Sequence, residues 1–128
     1  RSNIGLWAKQ ALEKGDPLTI VDDQFRAPTF AEDLAKACVL IAQKNTNGIY
    51  HISGPETFSI LELVKRVANV FNLNSDTISP ISSSTLNQAA KRPPRTGFDL
   101  TKSRKDIGYD PLTFEESLAI LAQQLKKN

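Results

Sequence analysis

The chain has 128 residues, 40% of them hydrophobic and 23% charged, with a net charge of +2, which is enough for one domain with a real core. No apolar run approaches the length of a membrane span, and so small a charge gives no ground for a nucleic-acid partner. The single cysteine, Cys38, excludes an internal disulfide and fits a reducing, cytoplasmic setting.

The chain opens at Arg1 inside a helical pattern and contains no methionine, as expected of an excised piece of a longer protein. Its first apolar stretch is broken by Lys9 and Gln10 and does not read as a secretion leader. Ile4, Trp7, Ala8, Ala11 and Leu12 recur at helical spacing, and Gly15 with Pro17 ends that helix. Leu18 to Val21 reads as a strand and Asp22-Asp23 as a turn. Gln24 to Phe30 returns as a second extended segment, so a hairpin is expected. Thr29-x-x-Glu32 is a capping-box pattern, followed by Leu34, Ala35, Cys38, Val39 and Ala42 on one helical face. On that face Cys38 is expected to be a core residue.

Asn47-Gly48 is a turn. GIYHISG, residues 48–54, reads as a buried strand with His51 at or inside its sheet. Ser59-x-x-Glu62 opens a helix whose core face is Ile60, Val64, Val67, Ala68 and Phe71. Ser75 to Ile81 is a strand, and the small polar run from Ser82 to Ala90 a mobile loop. Arg95 to Phe98 is a short strand. Asp99 caps a short helix ending at Gly108. Thr113-x-x-Glu116 opens the last helix, with Phe114, Leu118, Leu121, Ala122 and Leu125 on one face. Helices alternate with strands too few for a doubly wound sheet. The fold class is α/β in the sense of a mixed α+β fragment, one domain over residues 1–128.

Several chemistries lack their residues. The six glycines (5, 15, 48, 54, 97 and 108) form neither G-x-G-x-x-G nor a P-loop. A lone His51 and a lone Cys38 are too few for a zinc site. Ser53 has no G-x-S-x-G elbow around it. Hydride-transfer enzymes of the short-chain type need a tyrosine acid with lysine four residues on; Gly54 and Thr113 occupy those places after Tyr50 and Tyr109. The chain by itself is expected to carry out no redox chemistry and to bind no cofactor; no metal ligand is assigned, and Asp22-Asp23 and Glu115-Glu116 leave a magnesium site open, though such pairs are far more often solvated turn or cap residues.

What remains is basic. Lys91, Arg92, Arg95, Lys102, Arg104 and Lys105 lie together against one acid, Asp99, and Pro93-Pro94 stiffens the run between its two first arginines. Arg26 lies apart from them. Such a run is either a solvated basic face or, if Arg26 and Arg92 converge, a bidentate cleft for a diphosphate.

Three segments in order, PLTIVDDQFRAPTFAEDLAKA, GIYHISGPETFSILELVKRVA and KRPPRTGFDLTKSRKDIGYDPLTFEESLAIL, resemble the C-terminal part of the dTDP-4-dehydrorhamnose reductase family. They also fit the wider extended short-chain dehydrogenase/epimerase group. The resemblance runs from about Ile4 to Leu125 and implies the C-terminal, substrate-binding portion of an extended Rossmann-type reductase. In that family NADPH or NADH and the tyrosine-lysine pair belong to an N-terminal dinucleotide-binding domain, which this chain lacks. The implied partners are therefore a nucleotide-diphospho-sugar, by resemblance a dTDP-sugar, and the protein's own N-terminal Rossmann domain; a homodimer is among the assemblies allowed. Gln24, Pro28, Thr29 and Asp33 match the family's D-Q-x-G-x-P-T…D-L signature, Arg92-Pro93 its R-P segment, and Asp99, Leu100 and Lys102 its D-x-x-K helix entry. The implied substrate-binding residues are Gln24, Arg26, Pro28, Thr29 and Arg92, with 82–90 as a lid.

Arg26 departs from the reductase pattern, which has glycine there. Epimerases and dehydratases of the group carry an arginine seven residues before the corresponding aspartate, as Arg26 precedes Asp33, and it faces the diphosphate. The resemblance thus leaves two alternatives beside the reductase: an epimerase or dehydratase, and a non-catalytic regulatory subunit like that of methionine adenosyltransferase.

Overall fold

The computed structural model describes residues 3–86 and 92–126. Helix α1 (Ile4–Lys14) is followed by strands β1 (Leu18–Val21) and β2 (Phe25–Arg26) and helix α2 (Ala31–Gln43). Strand β3 (Phe58–Ser59) leads directly into α3 (Ile60–Val70); β4 (Ile78–Ile81), a 3-10 turn over Ser83–Thr85 in the run read as a mobile loop, α4 (Thr101–Ile107) and α5 (Phe114–Lys126) complete the order. The mixed fold class expected from the sequence is the one observed.

Three of the helices, α1, α3 and α5, are capped as their sequences require. Asn3 Oδ1 accepts the Leu6 N–H at 2.9 Å, and Ser59 Oγ accepts the Glu62 N–H at 3.0 Å. At α5 the capping box closes both ways: Thr113 Oγ1 accepts from Glu116, and the Glu116 carboxylate accepts the Thr113 N–H at 2.8 Å. Gly15 and Gly108 end α1 and α4 at φ 73° and 70°, the left-handed conformation glycine adopts without strain.

No hairpin forms. β1 pairs in parallel with β4, Leu18 opposite Ile78 and Val21 opposite Ile81, while β2 pairs antiparallel with β3. Pairing sixty residues away leaves no local trace in sequence. Leu18 and Ile20 turn inward from β1, and Pro80, which has no N–H to give, is accommodated because β4 has a single neighbour among the described residues.

The described residues form two cores. In the first, Ala8 and Leu12 of α1 and Leu63, Val64, Val67 and Ala68 of α3 close over β1, β4 and Leu118. The second gathers Ala37, Leu100, Ile107 and Tyr109, with Leu40, Ile41, Tyr50 and Ile52 packed against them. Trp7, on the periodic face of α1, is 41% exposed.

A polar seam joins the cores. The Asp33 carboxylate, 2% exposed, accepts the Leu112 N–H at 3.0 Å and pairs with Lys36 at 3.3 Å. The Glu56 carboxylate accepts the Phe114 N–H, and the Tyr109 hydroxyl donates to Ser53 O at 2.9 Å. Burial, and then the charge of Asp33, push the Tyr109 hydroxyl above its ordinary pKa.

Four further expectations fail here. The α2 face of Leu34, Ala35, Cys38, Val39 and Ala42 is exposed; Asp33 and Ala37 are buried instead. The helix has two apolar stripes, and the satisfied Asp33 carboxylate decides which one turns inward. Cys38 is accordingly exposed. Thr29 does not cap α2, whose N-cap is Phe30 with no side-chain bond; its hydroxyl instead accepts the Gly54 N–H at 3.1 Å. GIYHISG forms no strand, because no neighbouring strand meets it among the described residues. Arg95 contributes one bridge to Phe25 rather than a strand over residues 95–98.

Gly54 is buried where its backbone meets that of Pro28. A Cβ at this position would overlap the Pro28 carbonyl oxygen and lie 3.1 Å from its carbon. Both atoms are main chain, so relief requires the segments to part. Gly54→Ala is expected to destabilise the domain by about 1–3 kcal/mol, read as a lower urea midpoint at unchanged slope.

Candidate functional site

Residues 24–26 are held from both sides. On one edge β3 pairs with β2, and Ile60 N–H donates to Gln24 O at 2.9 Å. On the other, Phe25 N–H donates to Pro94 O at 2.7 Å and Thr96 N–H to Phe25 O at 3.0 Å. Segments seventy residues apart in sequence thus lie side by side, and each carries arginine.

Arg26 is half-buried. Its guanidinium donates to Phe25 O at 2.6 Å and to Gln24 Oε1 at 3.1 Å. Those two bonds leave three of its five N–H groups for another acceptor. Gln24, 6% exposed, is the support beneath it. Across β2 the Arg95 guanidinium stacks over the Phe25 ring, 4.6 Å from its centroid. Arg92 is exposed, two residues before Pro94, on the same segment.

The rest of the basic run disperses. Lys102 donates to Ile49 O at 2.9 Å and lies 4.4 Å over the Tyr50 ring. Arg104 and Lys105 occupy the last turn of α4, where cations complement the helix dipole. Lys91 lies outside the described residues, as do 87–90 of the loop read as a lid.

Pro28 and Thr29 face a separate space. They line a mostly apolar cleft of about 460 Å³ together with Asn3, Phe30, Phe114 and Leu121. Arg26, Gln24 and Arg92 are not among its walls. The five sequence-predicted residues therefore divide into an arginine-bearing sheet at β2 and a cleft beyond Pro28. Two neighbours escaped the sequence reading. Asn3 both caps α1 and lines the cleft, and its signal was an Asn just before a periodic apolar run. Arg95 was legible only as one of six basic residues. Among the described residues no group of three or more His, Cys, Asp or Glu side chains comes together, and no helix is long and apolar enough to cross a membrane.

Residues 3–127 match the family model described as "RmlD substrate binding domain". The chain belongs to that family. It is 30% identical over 114 residues to dTDP-4-dehydrorhamnose reductase of Aggregatibacter actinomycetemcomitans, covering 80% of this chain and 39% of that protein. It is 27% identical over 106 residues to methionine adenosyltransferase 2 subunit beta of Danio rerio, covering 79% of this chain and 33% of that one. Its fold matches that of dTDP-4-dehydrorhamnose reductase from Bacillus anthracis in complex with NADP, with a TM-score of 0.86 at 22% identity, over 97% of this chain and 44% of that one. The chain thus spans about two fifths of the reductases it matches.

In this substrate-binding domain the C-terminal ends of β1 and β4 are tied together. Asp23, just after β1, accepts from Ser82 Oγ at 2.9 Å, from Ser83 N–H at 2.9 Å and from Ser83 Oγ at 2.9 Å. Desolvation pushes the Asp23 carboxyl up, but the hydrogen bonds from Ser83 and Ser82 together outweigh it and hold the pKa below its ordinary value. A folded-state pKa below the unfolded one means the clasp stabilises fully above the ordinary carboxylate range. That contribution is lost as pH falls through the lowered value. Carboxyl-carbon NMR titration is expected to place the Asp23 midpoint below the ordinary aspartate value, with the Ser83 amide shifting at the same midpoint. Asp23→Asn should remove that transition.

Proposed function

We propose that this domain is the nucleotide-sugar-binding part of an NAD(P)-dependent reductase of the dTDP-4-dehydrorhamnose reductase type, acting in the cytoplasm. The parent would transfer hydride from NADPH or NADH to the C4 carbonyl carbon of a dTDP-4-keto-6-deoxy sugar, with a proton going to the carbonyl oxygen. The product class is a deoxysugar nucleotide for cell-surface polysaccharide. The observation that supports this reading is the pairing of two arginine-bearing segments, residues 24–26 and 92–96, through Phe25. A diphosphate presents two clusters of anionic oxygens, and guanidinium forks suit them. Arg26, supported by Gln24, is the first fork and Arg92 the second; Pro28 and Thr29 form the adjoining wall.

The dinucleotide does not fit this chain. Its six glycines are too widely spaced for a pyrophosphate turn. The cofactor and the tyrosine-lysine pair therefore belong to the parent's own N-terminal Rossmann-type domain, and the domain alone is inactive. The similarity to methionine adenosyltransferase 2 subunit beta supports a second reading, a regulatory subunit. A parent without Y-x-x-x-K upstream would favour it over any enzyme.

The test is a titration of the full-length parent with dTDP. Arg26→Ala and Arg92→Ala are each expected to weaken binding roughly ten- to hundredfold, the loss of one charge-assisted contact. Unchanged affinity in both variants would remove the diphosphate role. Stoichiometric NADPH oxidation on a dTDP-4-keto-6-deoxy sugar separates the reductase from an epimerase or dehydratase.

A further inference from the structure

The Asn47-Gly48 turn after α2 stands apart from the other asparagines among the described residues. The carboxamide of Asn3 accepts the Leu6 N–H at 2.9 Å, and that of Asn74 the Asp76 N–H at 2.8 Å. Asn69 lies inside α3, where the helix fixes its backbone. Asn45 and Asn72 hold φ at 48° and 54° and precede a threonine and a leucine, whose side chains crowd their own nitrogens. Asn47 is exposed, is followed by glycine, and has no hydrogen bond on its side chain among the described residues. The Gly48 N–H is equally unheld there. Gly48 sits at φ 105° with nothing on its Cα to shield its nitrogen.

A cation stands beside this turn. A Cβ on Gly48 would lie 3.4 Å from Lys102 Nζ, so the ammonium lies against the glycine. Two contacts hold it there: it donates to Ile49 O at 2.9 Å and lies 4.4 Å over the Tyr50 ring. Positive charge at that place favours loss of the Gly48 amide proton and steadies an oxyanion formed nearby.

We infer that Asn47 is a deamidation site whose reaction Lys102 promotes. The Gly48 nitrogen gives up its proton and attacks Asn47 Cγ. The new N–C bond closes a succinimide ring, the Cγ–Nδ2 bond breaks, and Nδ2 leaves as ammonia with that proton. Water, the only co-reactant, then opens the ring. Attack at Cγ yields aspartate with the main chain intact. Attack at the main-chain carbonyl of residue 47 yields isoaspartate, with the chain rerouted through the side chain. Ring closure is intramolecular, so its rate depends on orientation. A free carboxamide beside a bare glycine reaches the attack geometry, whereas Asn3 and Asn74 must first break a hydrogen bond. Either product puts a carboxylate beside the Lys102 ammonium, where it competes with Ile49 O. The reaction thereby loosens the hold of α4 on the segment that follows the turn.

Peptide mass mapping of the full-length parent, aged at physiological temperature and pH, tests the site. The peptide carrying Asn47 is expected to gain one mass unit and to split into two chromatographic forms. Its rate should exceed that of the peptide carrying Asn74 by about tenfold or more, since misplaced attack geometry costs at least that much. Asn47→Gln is expected to abolish the gain, because its longer side chain would have to close a larger ring. Lys102→Gln keeps a donor for Ile49 O but loses the charge. It should slow the reaction about fivefold, the worth of a unit charge a few ångströms away in a watery medium, and Lys102→Arg should restore most of the rate. An unchanged Asn47 in the folded parent, under conditions where the unfolded protein converts, would overturn the site. A rate in Lys102→Gln equal to or above that of the unaltered protein would overturn the role of the ammonium. Neither result touches the nucleotide-sugar reading, since Asn47 and Lys102 lie outside the arginine-bearing sheet and the cleft beyond Pro28.

Discussion

The close approach of Gly54 to Pro28 fixes the relation between everything on either side of it. Two backbones touch there with no side chain between them, and the Thr29 hydroxyl accepts the Gly54 N–H in the same place. The contact sets where α2 begins, and α2 then delivers Asp33 to the Leu112 N–H just ahead of α5. It also fixes the end of the 49–53 segment, whose Ser53 carbonyl receives Tyr109. The cleft beyond Pro28 and the arginine-bearing sheet before it are therefore parts of one rigid arrangement.

Much of this was legible in residues. Thr113 and Glu116 direct the start of α5 and Ser59 that of α3, because capping is local chemistry; Asp99, expected to cap α4, lies one residue ahead of the N-cap Leu100 and accepts the Thr101 N–H at 2.8 Å. The core face of α3 emerged from periodicity alone, since it has a single apolar stripe. α2 has two, and periodicity cannot choose between them; the choice depends on a partner for Asp33 seventy-nine residues away. GIYHISG has a strand's composition but lacks a strand's neighbour. Of the site, the residue types were readable and their meeting was not. The segments that carry Arg26 and Arg92 lie side by side because Phe25 bonds to Pro94 and Thr96.

The cations illustrate how little a basic run says before it is folded. Arg95 lies on an aromatic face, Lys102 fastens the 49–53 segment, and Arg92 stays in solvent. Arg66, outside the run, lies 4.0 Å over the Phe58 ring and reaches Glu62 at 2.9 Å and Glu115 at 2.6 Å. Its hydrogen bond to Glu62 contributes most to a pKa above the ordinary guanidinium value, and Glu115 adds to it. A planar fork can stack and bridge at once; a lysine ammonium there would do only one of these.

The two cores are interleaved along the chain. The first takes residues from α1, α3, β4 and Leu118, while the second takes Ala37, Leu100 and Tyr109 from the intervals between. No single cut separates them, so neither half of the sequence holds a core of its own. Contacts of such long sequence separation slow folding, because loops must close before burial stabilises them. During synthesis the first core waits for Leu118, almost the last residue that it needs, to leave the ribosome.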